Sequence, residues 1–226
     1  MKHKKVVMIL LLLPIVASGV FASEQWVGVS FSYDWSQRFV ADQARTHSFG
    51  GEGTNYTFFG DGNMGMRLGF DFLIPFSGSK LVNGERKDVS MAEAPMLVAL
   101  QFGPSYKYDV TDWFTVYGGL GINASYTSQG GEVKDSTDPQ GKLYYGRYLD
   151  WQFGVLADLG MRFGIGDTFG IRVGTTLGTN FLQYRSFTVY IPESESNTQT
   201  SVKRSGWTDG YVDFSVKPYI GVSASF

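Results

Sequence analysis

The sequence predicts an all-β fold: an eight-stranded antiparallel up-and-down transmembrane β-barrel over residues 23–226, behind an N-terminal signal peptide over residues 1–22. Three observations predict it. Apolar residues recur with a period of two along most of the chain. Tight turns and long polar connections alternate between these stretches. The chain opens with a basic, then apolar, then small-residue segment. Successive side chains of a strand point to opposite faces, so a period of two gives each stretch one apolar and one polar face.

The opening segment, MKHKKVVMILLLLPIVASGVFAS, carries Lys2, Lys4 and Lys5, then an apolar run from Val6 to Val16, then Val20-Phe21-Ala22. This is the three-part layout of a cleaved secretory signal, with Ser23 starting the mature chain. The run is short for a membrane span of ~20 apolar residues, and Pro14 and Gly19 interrupt its end. Cleavage would remove three of the 19 basic side chains and no acid, leaving 16 against 21 and a net charge of −5. An acidic chain of this kind makes a nucleic-acid partner unexpected. There is no cysteine, so an exported chain would draw its stability from the fold and not from disulfides. No later apolar run is long enough for a transmembrane helix, so a membrane would have to be crossed by strands.

Seven stretches show the alternation clearly. The apolar series begin at Val27, Met64, Met96, Phe114, Leu149, Phe169 and Val212, and the last runs Val212, Phe214, Val216, Pro218, Ile220, Val222, Ala224, Phe226. A closed barrel of bacterial type needs an even number of strands. The eighth is placed at 48–59, SFGGEGTNYTFF, where alternation is weak. With it, tight turns at 60–63, 109–112 and 166–168 alternate strictly with long connections at 37–47, 77–94, 127–147 and 186–209. That asymmetry of short turns on one side and long loops on the other is expected of a membrane barrel, with both mature termini on the short-turn side. Pro104 and Pro218 fall inside predicted strands, where bulges or skewed hydrogen bonding are expected because a barrel has no free edge.

Alternation alone does not separate a membrane barrel from a soluble sandwich or a lipocalin-like barrel. The polar face favours the membrane. A solvated sheet would carry many Lys, Glu and Thr there, whereas this face is crowded with glycine and serine, including Gly28, Gly65, Gly69, Gly160 and Gly174. The apolar face carries aromatics near strand ends, among them Tyr33, Trp35, Tyr106, Tyr108, Tyr126 and Trp151, as interface girdles would.

Together with the terminal YIGVSASF, these features resemble the small eight-stranded bacterial outer-membrane barrels of the outer membrane protein W and outer membrane protein X type. The resemblance covers residues 24–226 and is one of pattern. It implies an integral outer-membrane location in a Gram-negative-type envelope, contact with outer-membrane lipids, and insertion by the barrel-assembly machinery. It also makes Phe226 the assembly signal, since the last strand of such proteins commonly ends in phenylalanine.

Eight strands leave an interior that side chains can fill. The inward charges expected from the alternation are Asp34, Asp71, Asp150, Asp158 and Asp213, balanced by Arg67, Lys107, Arg162, Arg172 and Lys217. Buried charges need partners, so this set is expected to pair into a lumen charge network. A paired network would plug the barrel, whereas the many glycines would leave space for water. The charged lumen departs from the apolar inner channel of outer membrane protein W-like members, which puts transport of hydrophobic molecules in doubt.

Other patterns carry less. Gly60–Gly65 matches G-x-G-x-x-G but precedes a strand and reads as a hairpin turn. Asn55 and Asn123 match a glycosylation pattern within strands. The charged runs at 83–88 and 193–197 read as solvated loop tips. His47, the one histidine after the leader, stands beside Asp42 and Ser48, and spacing cannot make these a triad. The expectation is therefore a monomeric, non-enzymatic outer-membrane barrel without metal or cofactor. It is either a narrow channel for a small solute or a scaffold for surface-exposed loops. A surface adhesin or a host- or ligand-binding barrel is the alternative, and an outer-membrane enzyme of acyltransferase or protease type a remote one.

Overall fold

A computed structural model of the chain describes residues 22–39, 43–60, 62–82, 84–88, 96–134, 143–192 and 199–226. Residues 1–21 of the signal peptide expected over 1–22, Asp42 and the charged run at 193–197 lie outside them. The described residues form ten strands: β1 (Ala22–Arg38), β2 (Arg45–Phe59), β3 (Met64–Val82), β4 (Glu85–Asp88), β5 (Met96–Thr111), β6 (Phe114–Lys134), β7 (Leu143–Ile165), β8 (Phe169–Pro192), β9 (Gln199–Trp207) and β10 (Asp213–Ser225). Eight of them, β1, β2, β3, β5, β6, β7, β8 and β10, pair antiparallel in sequence order, and β10 pairs with both β8 and β1 to close the ring. β4 and β9 lie outside the ring, folded back on β3 and β8.

The eighth ring strand is where the turn parity requires it, beginning slightly earlier at Arg45. Two boundaries differ from expectation. The second tight turn is at Asp112–Trp113, because Asp109–Thr111 stay paired with Phe114–Thr115 across a bulge. The long connections are also much shorter than they read. β3, β6, β7 and β8 run on into them as extended hairpins, since polar residues on both faces do not end a ladder once the strands are past the bilayer. β7 has 23 residues. At about 3.3 Å per residue and a tilt near 40°, such a strand rises roughly 55–60 Å, against an apolar band of ~25 Å. The β6–β9 wall therefore stands well above the rest of the barrel.

The outer surface carries the apolar stripes. Val29, Phe31, Phe102, Leu120, Ile122, Leu159, Ile171, Ile220 and Val222 are all exposed, which in water would leave a very large apolar patch without cover. Aromatics bracket the band. At the long-connection end Tyr126 meets Trp151 at 4.8 Å between ring centroids and Tyr184 meets Trp207 at 5.4 Å. At the short-turn end Phe114 stacks on Phe163 at 5.2 Å, beside Trp113. This is the girdle arrangement of a membrane barrel.

Pro104 and Pro218 sit on this outer face without bulges. Pairing of β5 with β6 skips from Phe102↔Ile122 to Ser105↔Gly119, and pairing of β1 with β10 skips from Ser32↔Tyr219 to Trp35↔Val216, each resuming in the same register. On the other side each proline stays in its ladder, opposite Met66 and Thr175 respectively. Proline lacks only one donor, and the ladder absorbs that loss locally. Real bulges occur elsewhere. The one between Phe153 and Gly154 places Phe181 and Leu182 of β8 both outward, so beyond it the faces of β8 exchange.

Candidate functional site: a filled lumen under an open vestibule

All ten charges expected to point inward do so, with eight of them buried and Asp150 and Asp213 half-buried at the top of the lumen. They do not pair simply with one another. Lys217 Nζ lies 2.6 Å from Asp71 and 2.9 Å from Glu52, and Arg67 Nη2 lies 2.7 Å from Glu52 Oε1. Arg67 Nε is 3.5 Å from Asp158 and donates to Tyr56 Oη at 3.1 Å. Lys107 is held by Glu24 and by Asp109, the latter at 3.1 Å. Asp150 binds Arg185 through both oxygens, at 2.8 and 2.9 Å. Glu24, Glu52, Asp109 and Arg185 thus complete a network that the ten residues alone do not close.

Arg172 and Arg162 have no carboxylate partner among the described residues. Arg172 is fully enclosed. It donates to Tyr117 Oη at 3.0 Å and to Thr54, and its guanidinium lies 5.1–5.6 Å from the ring centroids of Tyr56, Tyr117 and Tyr219. A planar, weakly hydrated cation suits such an aromatic cage. Arg162 donates to Ser223 and Ser225, both at 3.2 Å, and lies 5.0 Å over Trp26.

Around these cations sits an aromatic plug. Trp26, Tyr56, Phe58 and Tyr117 form one buried cluster, with Trp26 edge-on to Phe58 at 4.9 Å and to Tyr117 at 5.7 Å. Asp158 ties its polar tips together, accepting from Tyr56, from Tyr219 at 3.1 Å and from Thr176 at 3.2 Å. The inward glycines make room for this plug and do not hold space for water. A Cβ on Gly160 would come within 2.5 Å of the Tyr117 ring, and one on Gly174 within 2.4 Å of Tyr219 Oη.

The residues missed by the alternation have identifiable causes. β2 carries its aromatics inward, with Tyr56 and Phe58 both 0% exposed, so its pattern runs against the outer-stripe rule and hid Glu52 on the same face. Arg185 and Gln183 turn inward only because of the β8 bulge. Toward the long-connection end the plug gives way to a vestibule of about 410 Å³, lined among others by Asp34, Arg38, Lys80, Leu97, Tyr148 and Asp213. Leu73 and Leu156 are buried aliphatic residues of the lumen, and Leu97 borders this vestibule.

His47 and Ser48 cannot act together. His47 bonds Tyr33 Oη at 2.5 Å within the outer aromatic cluster of Tyr33, Phe49 and Phe76, while Ser48 is buried in the lumen. Gly60 and Gly62 adopt φ of +57° and +87° in the β2–β3 turn, which accounts for the glycine-rich GDGN. Phe226 is exposed at the barrel rim, and its backbone exchanges two hydrogen bonds with Gln25, at 2.9 and 3.0 Å.

A closed ring of eight strands, apolar outside, girdled by aromatics and filled with buried charges and aromatic rings, defines an integral membrane β-barrel. The chain belongs to the outer membrane protein beta-barrel domain family, whose pattern matches residues 8–202. Its place is therefore the outer membrane. Among solved structures it is similar to a major outer membrane protein from Thermus thermophilus, with 16% identity over 88% of this chain and 99% of that one and a TM-score of 0.56. It is also similar to the outer membrane protein OprG from Pseudomonas aeruginosa, with 12% identity over 91% and 97% of the two chains and a TM-score of 0.51. The attachment invasion locus protein Ail of Yersinia pestis gives 10% identity over 90% and 98%, at a TM-score of 0.46. At these identities the likeness is one of fold. Among curated proteins no match is found.

Proposed function

We propose that this outer-membrane barrel is a non-enzymatic, non-conducting support that carries its extended hairpins and the vestibule between them at the cell surface. The observation behind this is the plug. Trp26, Tyr56, Phe58 and Tyr117, with Arg67, Arg172 and Asp158 bound among them, are all buried across the width of an eight-stranded lumen. A conducting pore needs a wet path, and displacing this set would unpair several buried charges at once. Opposed faces for His47 and Ser48 support the non-enzymatic part.

In this reading residues 1–22 are the signal that exports the chain, and 23–226 form the barrel. The protein works as a monomer among outer-membrane lipids. Phe226 is read by the barrel-assembly machinery, and the short turns face the periplasm.

Planar-bilayer recording tests the claim. Refolded residues 23–226 should show no discrete openings at neutral pH. A variant in which Trp26, Tyr56 and Tyr117 are all replaced by alanine should conduct, provided heat-modifiable gel migration shows it folded. Regular, discrete openings from the unmodified barrel would contradict the proposal and restore the narrow-channel reading.

A further inference from the structure

Below the large vestibule a second cavity of about 60 Å³ continues toward the plug, and Asp34 lines both. Asp34 is only 7% exposed, and the cation that acts on it, Lys217, is already held by Asp71 and Glu52. A buried carboxylate in that state is costly unless something else meets it. Three atoms on this cavity's wall are buried without a partner: Asp71 Oδ1, Gln101 Oε1 and Asn123 Oδ1. All three are acceptors. Their assignment follows from their other halves, since Gln101 Nε2 donates to Asp71 Oδ2 at 2.5 Å and Asn123 Nδ2 to Asn180 Oδ1 at 3.0 Å. The cavity therefore offers acceptors that call for a guest rich in donors.

The charges agree. Asp34, Asp71 and Asp213 line the lower cavity against one cation, Lys217, which is already shared between Asp71 and Glu52. Asp213 accepts from Tyr211 at 3.3 Å, from the Asn180 side chain and from the Phe214 N–H, with Arg38 nearby, and it lines both cavities. The upper cavity differs in kind. Arg38, Arg45, Lys80 and Arg185 stand around it, Arg185 held by Asp150, with Leu97 and Tyr148 offering apolar wall. A guest that carries its positive charge at one end only, with a neutral or acidic remainder, suits both levels, whereas a polyamine would leave a second cation at the basic rim. Among the described residues no three His, Cys, Asp or Glu side chains gather as a metal site would require.

We propose that the vestibule binds a small solute bearing one primary ammonium group, with its –NH3+ at Asp34 and Asp213 and its remainder in the upper cavity. Three N–H donors and a positive charge would meet the Asp34 and Asp213 carboxylates together, in a lower cavity whose wall is otherwise rich in acceptors.

Calorimetric titration of refolded residues 23–226 in dodecyl maltoside tests this, with n-propylammonium as the probe and potassium and propionate as comparisons. The expected result is saturable binding of propylammonium and none of propionate. Asp34→Asn should weaken the Kd at least tenfold, while Asp112→Asn, on an exposed turn, should leave it unchanged. If Asp34→Asn fails the heat-modifiability check for folding, Asp213→Asn carries the same expectation. Absence of propylammonium binding, an unchanged Kd in the folded carboxylate variant, or equal competition by potassium would each overturn the assignment. None of these outcomes bears on conductance, so this site and the non-conducting reading stand or fall separately.

Discussion

Lys217 holds Glu52 and Asp71 at once, and all three side chains are at most 4% exposed. Replacing it by methionine would keep much of the volume and leave two buried carboxylates uncompensated. Breaking a buried pair in this way costs about 3–5 kcal/mol, so Lys217→Met should shift denaturant unfolding in detergent by that order. An effect under about 1 kcal/mol, the level of a surface pair, would mean that the lumen is wet and the network screened. Gly174→Ala tests the plug differently. Its Cβ would press on Tyr219 Oη at 2.4 Å and on the Leu159 carbonyl at 2.5 Å. Overpacking of this sort costs roughly 1–3 kcal/mol, against the gain expected if the glycine merely faced water. The ten inward charges were legible from period two alone, because parity fixes the face. Their partners were not. Glu52 sits in GGEG, where the neighbours give no parity, and Trp26, Tyr56, Phe58 and Tyr117 are aromatics that a girdle rule sends outward.

On β6, Leu120 is 66% exposed while Ser125, of opposite parity, is buried in the lumen. Leu120→Arg should destabilise the barrel by about 2–4 kcal/mol if it lies near the bilayer midplane. Ser125→Ala loses only a 3.4 Å contact to Gln152 and should cost well under about 1 kcal/mol. Gly121, the adjacent inward position, is unsuitable as a control because its Cβ would meet the Phe102 carbonyl at 2.8 Å. Unfolding midpoints in one lipid would compare the pair, and equal losses would mean that the register is reversed. Strand existence was readable because stripes such as Leu149–Ile165 repeat over many residues. Strand ends were not. The polar sequences at 77–94, 127–147 and 186–209 carry no stripe, although most of their described residues continue the ladders as hairpins. The β8 bulge also broke the parity that would have placed Arg185 beside Asp150.

The whole barrel closes through the β1–β10 seam, where Phe226 contributes two backbone hydrogen bonds to Gln25 and an exposed ring. A ring at the rim adds only about 1–2 kcal/mol by burial. Phe226→Ser, which keeps the backbone bonds, should therefore refold in detergent nearly as the parent does. In cells its insertion should fall sharply if the assembly machinery reads this residue, with protein accumulating in the periplasm or being degraded. Normal insertion would leave Phe226 as an interface anchor only. The absence of cysteine makes the most direct test of the barrel simple. Single cysteines at Val116, Leu120 and Ile122, and at Thr115, Asn123 and Ser125, can each be labelled with a small fluorophore and exposed to a quencher dissolved in the lipid. The structure requires strong quenching at the first three and weak quenching at the second three, alternating along β6. Uniform quenching, or the opposite phase, would contradict a lipid-facing apolar stripe around a filled lumen.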